Sequence, residues 1–262
     1  MTAQSEKNPL GLKGLDFIEF SGPDAHFFDQ ALKQLSLREI GQVHGKNIRA
    51  YRQGDVTFLV NCEPQTLAME FAKAHGPSVC ALGFFVENAE EAYQRALNRG
   101  ARAYEGNEHQ KASTLFPAIY GVGDSLIFFL DEKNQNTLYK ESLLVRDEDA
   151  HPGGNILSVD HLTNNVPQGE LQKWYDFYAK ILGFQDISNS KTSVAMQAPS
   201  ENFVIEIHEP SAANMEVLEY LKEFKGSGIQ HIALAAQDAA DPVTCGPVQI
   251  DIIKKGAKRW SK

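Results

Sequence analysis

Apolar positions follow a strand-then-helix rhythm twice along the chain. In GLDFIEFSGPDAHFFDQALKQLSLREI, Leu15, Phe17 and Phe20 mark a strand-like run, a Gly-Pro-Asp turn follows, and Phe27, Phe28, Leu32 and Leu35 recur at helical spacing. SVDHLTNNVPQGELQKWYDFYAKILGFQDI does the same, with Trp174, Phe177, Tyr178, Ile181 and Leu182 as the stripe of a helix that buries its aromatic face. The two stretches stand 144 positions apart, Asp160 against Asp16.

A second pair repeats 150 positions apart. HGPSVCALGFFVENAEEAYQRALNRGARAY predicts a strand over Val79 to Val86, a helix from Ala89 with Glu90 and Glu91 in its first turn, and a stop at Gly100. KGSGIQHIALAAQDAAD starts the same way, Gly226 against Gly76 and Ala239 against Ala89. Further strand-like runs fill each half: NIRAYRQGDVTFLVN with its Gly-Asp turn, and KTSVAMQAPSENFVIEIHE. The expected architecture is therefore α+β, two related halves each built from βαβββ units, one over residues 9–150 and the other over 151–262. The charged, then turn-rich stretch YKESLLVRDEDAHPGGNIL places the boundary near Asp149 to Gly154.

Within this pattern two histidines interrupt apolar strands: His161 in SVDHLTNNV and His231 in GIQHIAL. A lone histidine in such a run is ordinarily a core residue satisfied by hydrogen bonds. The repeat offers an internal control, because the same positions of the first half hold Phe17 and Ala81.

Charge narrows the partners. A net charge of -9 without any Lys/Arg-rich run argues against nucleic acid or an anionic membrane surface, leaving a small molecule as the better expectation. Cys62, Cys80 and Cys245 form no CxxC pattern, and neither a leader-like start nor a long apolar window is seen, so a reducing cytoplasm is expected. GVGDS at Gly121 to Ser125 reads as a hairpin turn rather than a phosphate loop, and no GxSxG, Walker or HExxH pattern occurs. His75 reads as a helix-end or loop residue, and His26, His44, His109 and His151 as surface.

Paired βαβββ units characterise the vicinal oxygen chelate proteins. GLDFIEF, YRQGDVTFLVN, FAKAHGPSV, DHLTNNV, FYAKILGF and GIQHIAL together resemble the 4-hydroxyphenylpyruvate dioxygenase family, in particular its bacterial haemolysin- or legiolysin-named branch, from Pro9 to about Gly256. The resemblance implies an iron(II) site of two histidines and one carboxylate that leaves positions open for substrate. His161 and His231 are then the nitrogen ligands. Asp251 in GPVQIDIIKKG stands where the family has glutamate, one methylene shorter; Asp238 and Asp241 are rivals placed in a turn. Ser193, near Gln197, Ala198 and Pro199, is a candidate for orienting substrate, and His208 replaces a pocket asparagine with a bulkier, titratable group. The implied reaction joins a 2-oxoacid, 4-hydroxyphenylpyruvate, with O2 to give homogentisate and carbon dioxide; altered pocket contacts would give hydroxymandelate instead. A homo-oligomer is left open.

The chain departs from the family's pattern in one respect. His231 to Asp251 spans 20 residues, whereas Ala81 to Phe128 in the first half spans 47, so a helix and at least one strand are expected to be missing, with AAQDAADPVTCG as the shortcut. With KKGAKRWSK as the last stretch, the family's closing helix is expected to be absent and the pocket to be more open. A non-catalytic homologue that binds a small ligand is the rival reading.

Overall fold

The computed structural model describes residues 7–106, 116–143, 154–188, 193–212 and 214–256. The first half runs β1 (Leu12–Ser21), α1 (His26–Gln34), β2 (Arg38–Gln42), β3 (Ile48–Gln53), β4 (Val56–Asn61), α2 (Leu67–His75), β5 (Ser78–Val86), α3 (Ala89–Asn98), β6 (Ala118–Tyr120), β7 (Leu126–Leu130) and the short α4 (Glu132–Asn136). The second runs β8 (Ile156–Asn165), α5 (Leu171–Asp176), β9 (Gln185–Asp186), β10 (Ser193–Gln197), β11 (Val204–His208), α6 (Met215–Phe224), β12 (Gly228–Ala236), β13 (Ala240–Cys245) and β14 (Val248–Lys254). Local signals fix several ends. Asn88 accepts from the Glu91 N–H at 2.9 Å to cap α3, Thr66 does so for α2, and Gly54 takes a positive φ of 55° in the β3–β4 hairpin.

Each half forms one seven-stranded mixed sheet, and the two sheets share one topology: β2-β3-β4-β1-β5-β7-β6 in the first, β9-β10-β11-β8-β12-β14-β13 in the second. In both, a central antiparallel pair (β1/β5, β8/β12) is flanked by parallel neighbours (β4 and β7; β11 and β14). The repeat read from the sequence is thus a repeat of sheets. The boundary at Asp149 to Gly154 lies outside the described residues apart from Gly154.

The main core joins both halves. Ile18, Phe20, Phe58, Leu82 and Phe84 of the first sheet and Leu162, Ile205, Ile232, Leu234 and Ile250 of the second belong to one buried cluster with the inner faces of α1, α3 and α5. Full burial of each such side chain contributes about 1.5–3 kcal/mol. Phe84 spans the halves, its ring centroid 5.8 Å from that of Phe203. His75, at the end of α2, has Nδ1 2.7 Å from the Phe224 carbonyl and stacks on that ring, so it ties α2 to α6. Trp174 and Tyr178 are buried as expected, but the helix is α only to Asp176 and widens to a π-turn over Phe177–Ile181, where the adjacent Phe177 and Tyr178 rings meet edge to face.

The shortcut is visible. Only residues 237–239 separate β12 from β13, which returns antiparallel on the far side of β14. The helix that α3 provides between β5 and β6 has no counterpart there. Asp241 lies at the start of β13, an exposed edge strand, rather than in the turn. GVGDS forms a short 3-10 turn joining the antiparallel β6 and β7.

Alternation puts every second residue on the opposite face. On the face of the first sheet away from the main core lie Phe17, Glu19, Leu59 and Ala81. Glu19 is a carboxyl only 7% exposed, with Asn61 Nδ2 donating to its Oε1 at 2.6 Å. Burial pushes it up to about 7, against partial relief from Asn61 and Cys80.

A carboxyl whose folded pKa is raised holds more protons folded than unfolded, so its contribution falls as pH rises from about 4.5 to about 7 and is flat above. Denaturant unfolding across this window is expected to show wild-type stability declining by up to roughly 3 kcal/mol relative to Glu19→Gln. Parallel pH profiles for the two proteins would contradict the burial of an ionisable Glu19.

Candidate functional site

The second sheet carries its chemistry on the face opposite its apolar residues. Leu162, Ile205, Ile232, Ile250 and Ile252 point to the core, and the residues between them point the other way. The register fixes two rows across adjacent strands. Val204, His161, Ala233 and Asp251 form one; Glu206, Thr163, His231 and Gln249 form the next. Ser193 pairs with His208 across β10 and β11, one further step along the same face.

A bulge aims the first histidine. Ala233 pairs with His161 and Leu234 with Val159, so Asp160 is the extra residue of β8. Asp16 occupies the equivalent bulge in β1, between Leu15 and Phe17. A bulge breaks the alternation locally and re-aims side chains. Asp160 therefore reaches its neighbour, its Oδ2 2.8 Å from His161 Nδ1. With that carboxylate as acceptor, Nδ1 carries the proton and the lone pair sits on Nε2. His161 itself is 0% exposed.

The second histidine is held by a relay. Thr163 Oγ1 donates to Glu206 Oε2 at 3.0 Å and lies 3.4 Å from His231 Nδ1, which is positioned to donate to it. That arrangement leaves a lone pair on His231 Nε2, which stands 2.9 Å from Asp251 Oδ2. Gln249 donates to the other Asp251 oxygen at 2.8 Å. At that distance the two atoms share either an imidazole proton on Nε2 or a cation touching both. Two donors at right angles, each about 2.1 Å from one ion, stand about 3 Å apart, so the spacing suits a metal. The His161 and His231 rings are 5.3 Å apart, centroid to centroid.

Among the described residues, no three His, Cys, Asp or Glu side chains already converge on one point as a metal cage. The donor types still fit iron(II): two imidazoles and a hard carboxylate from three neighbouring strands.

Glu206 adds a charge that the sequence reading passed over. Burial works to raise its pKa, but the His208 hydrogen bond (Nε2 to Oε2, 3.3 Å), the positive charge that His161 and His208 carry when protonated and the Thr163 hydroxyl outweigh it and hold the carboxyl below its usual range. His208 is thus half-buried and tied to Glu206. Of the rivals to Asp251, Asp238 is exposed and faces Lys254 at 3.7 Å, and Asp241 is exposed on β13. His26 and His44 are exposed; His109 and His151 lie outside the described residues.

Asp160, Thr163 and Glu206 are the site residues missed. Each left a trace: Asp160 in its match to Asp16, Glu206 in lying two strand positions before His208, and Thr163 in lying two after His161.

Duplicated sheets of this topology, with a polar face on one sheet, define a protein of the vicinal oxygen chelate fold. The family description "Hydroxyphenylpyruvate dioxygenase, HPPD, N-terminal" matches residues 6–143. The chain is 38% identical to Protein MelA of Shewanella colwelliana over 245 residues, covering 89% of this chain and 70% of that protein. It is 35% identical over 239 residues to the 4-hydroxyphenylpyruvate dioxygenase of Legionella pneumophila (strain Corby), covering 88% and 68%. A mutant of 4-hydroxymandelate synthase from Streptomyces coelicolor has the same fold, with a TM-score of 0.71 at 18% identity over 87% of this chain and 72% of that one. The chain belongs to the 4-hydroxyphenylpyruvate dioxygenase family of enzymes. Among the described residues no helix is long and apolar enough to cross a membrane.

Thr163→Val keeps the shape of the strand but leaves Glu206 Oε2 and His231 Nδ1 each short of a partner. Chemical denaturation is expected to show a loss of about 1–3 kcal/mol; an unchanged midpoint would mean the relay carries no stability.

Proposed function

We propose that the chain is an iron(II)-dependent dioxygenase that converts 4-hydroxyphenylpyruvate and O2 to homogentisate and carbon dioxide. The observation that carries this reading is the placement of His161, His231 and Asp251 on one face of three adjacent strands, where the first half has Phe17, Ala81 and Phe128. These three residues would hold the iron. When bound, the metal would supply open positions for a 2-oxoacid and dioxygen and would relay electrons from the substrate to dioxygen, so that oxidative decarboxylation and ring hydroxylation need no other reductant.

The chain's own groups have separate tasks. Asp160 favours the His161 proton on Nδ1, and Thr163, backed by Glu206, favours that of His231 on Nδ1, so that each Nε2 would offer its lone pair to the metal. Burying His161 costs free energy unless it is partnered, and ligation offsets that cost. Ser193 and His208, paired across β10 and β11, would orient the polar groups of the substrate. The identity of 35% to a protein named 4-hydroxyphenylpyruvate dioxygenase supports the substrate.

The test is turnover by the iron-loaded protein, with oxygen uptake and product chromatography. Homogentisate is expected, and His161→Ala or Asp251→Ala should lower the rate at least ~100-fold, more than a supporting residue would. Asp160→Ala is expected to weaken iron binding about 10–100-fold while leaving the fold intact. Hydroxymandelate as the product would reassign the reaction. Full iron loading without oxygen uptake would sink the dioxygenase reading and favour a ligand-binding homologue.

A further inference from the structure

The first sheet forms one wall of a half-open cavity at the place where the second sheet has its histidines. Phe17 is the counterpart of His161, Ala81 of His231 and Phe128 of Asp251 by register, and all three line it. Its volume is about 80 Å³, several times the ~10–15 Å³ that one water needs. Phe17, Leu59, Leu126 and Phe128 supply apolar walls, with the Phe17 and Phe128 rings 6.0 Å apart.

One acid lies on this apolar wall. Glu19 is buried, and Asn61 Nδ2 donates to its Oε1 at 2.6 Å. A carboxyl has acceptor capacity on both oxygens, and the neighbouring Cys80 thiol is a weak donor. Core packing alone gives no reason for a carboxyl here, since an apolar residue would be cheaper to bury. Its raised pKa keeps it largely uncharged below neutrality, which suits a neutral ligand.

We propose that this cavity is a second binding site, separate from the histidine face, that takes a small uncharged aromatic carrying a hydroxyl group, with the hydroxyl on Glu19 and the ring packed against the Phe17 and Phe128 side chains. The mostly apolar walls offer little to solvate an ionic ligand. A purely apolar ligand would leave the acid without its added donor. The site does not depend on iron or on the proposed dioxygenase reaction.

The probe is p-cresol, added to the full chain and followed by two-dimensional amide NMR. Perturbation is expected at Glu19, Leu59, Ala81 and Leu126 and not around His161 and His231. Glu19→Gln should weaken binding at least 5-fold, toluene should bind wild type at least 5-fold more weakly than p-cresol, and Ala81→Phe should abolish binding by filling the space. The comparison of toluene with p-cresol needs no variant, so it stands even if Ala81→Phe fails to fold. Absence of any shift, equal binding of the two probes, or shifts confined to the histidine face would each overturn the proposal.

Discussion

Everything at the site depends on the register between β8 and β12. Pairing His161 with Ala233 and Thr163 with His231 sets both imidazoles on one face, and the parallel pairing of β12 with β14 adds Asp251 to it. A slip of one residue in either pair would send a donor into the apolar core and an isoleucine to the site. Ile232, Leu234, Ile250 and Ile252 resist such a slip because each has a buried place in the main cluster. The hydrophobic core is thus what orients the polar face.

The same scaffold supports two environments. In the first half the face away from the core is mostly apolar, with Glu19 and its partner Asn61 as the polar pair on its strands; in the second it carries His161, His208, His231, Glu206 and Asp251. Glu19 occupies the register position of Thr163, and Glu206 that of Leu59, so each face keeps one extra acid on a different strand, buried at Glu19 and half-buried at Glu206. Their surroundings pull them apart. Desolvation dominates at Glu19 and raises its pKa, whereas donors and positive charge around Glu206 overcome desolvation and lower it.

Much of this was legible in the chain. The repeats at Asp16/Asp160 and Gly76/Gly226 located both central strand pairs, and the short distance from His231 to Asp251 announced the missing helix, because a helix and its turns cannot fit in the space left between two strands. What stayed hidden depends on contacts between strands. The bulge at Asp160 is a mismatch in count between β8 and β12, which neither strand reveals alone. Glu206, inside the strand-like run KTSVAMQAPSENFVIEIHE, gave no sign of its partner until pairing set it beside Thr163. The π-turn over Phe177–Ile181 likewise interrupts a stretch whose apolar spacing reads as plain helix.

The central claim is that His161, His231 and Asp251 together hold iron(II). Anaerobic titration with iron(II) in the presence of 4-hydroxyphenylpyruvate, monitored for a visible charge-transfer band from the chelated 2-oxoacid, tests it most directly. The account predicts a band in the wild type that is weakened or lost in Asp251→Ala. No band in the wild type, or one of full strength in Asp251→Ala, would contradict it.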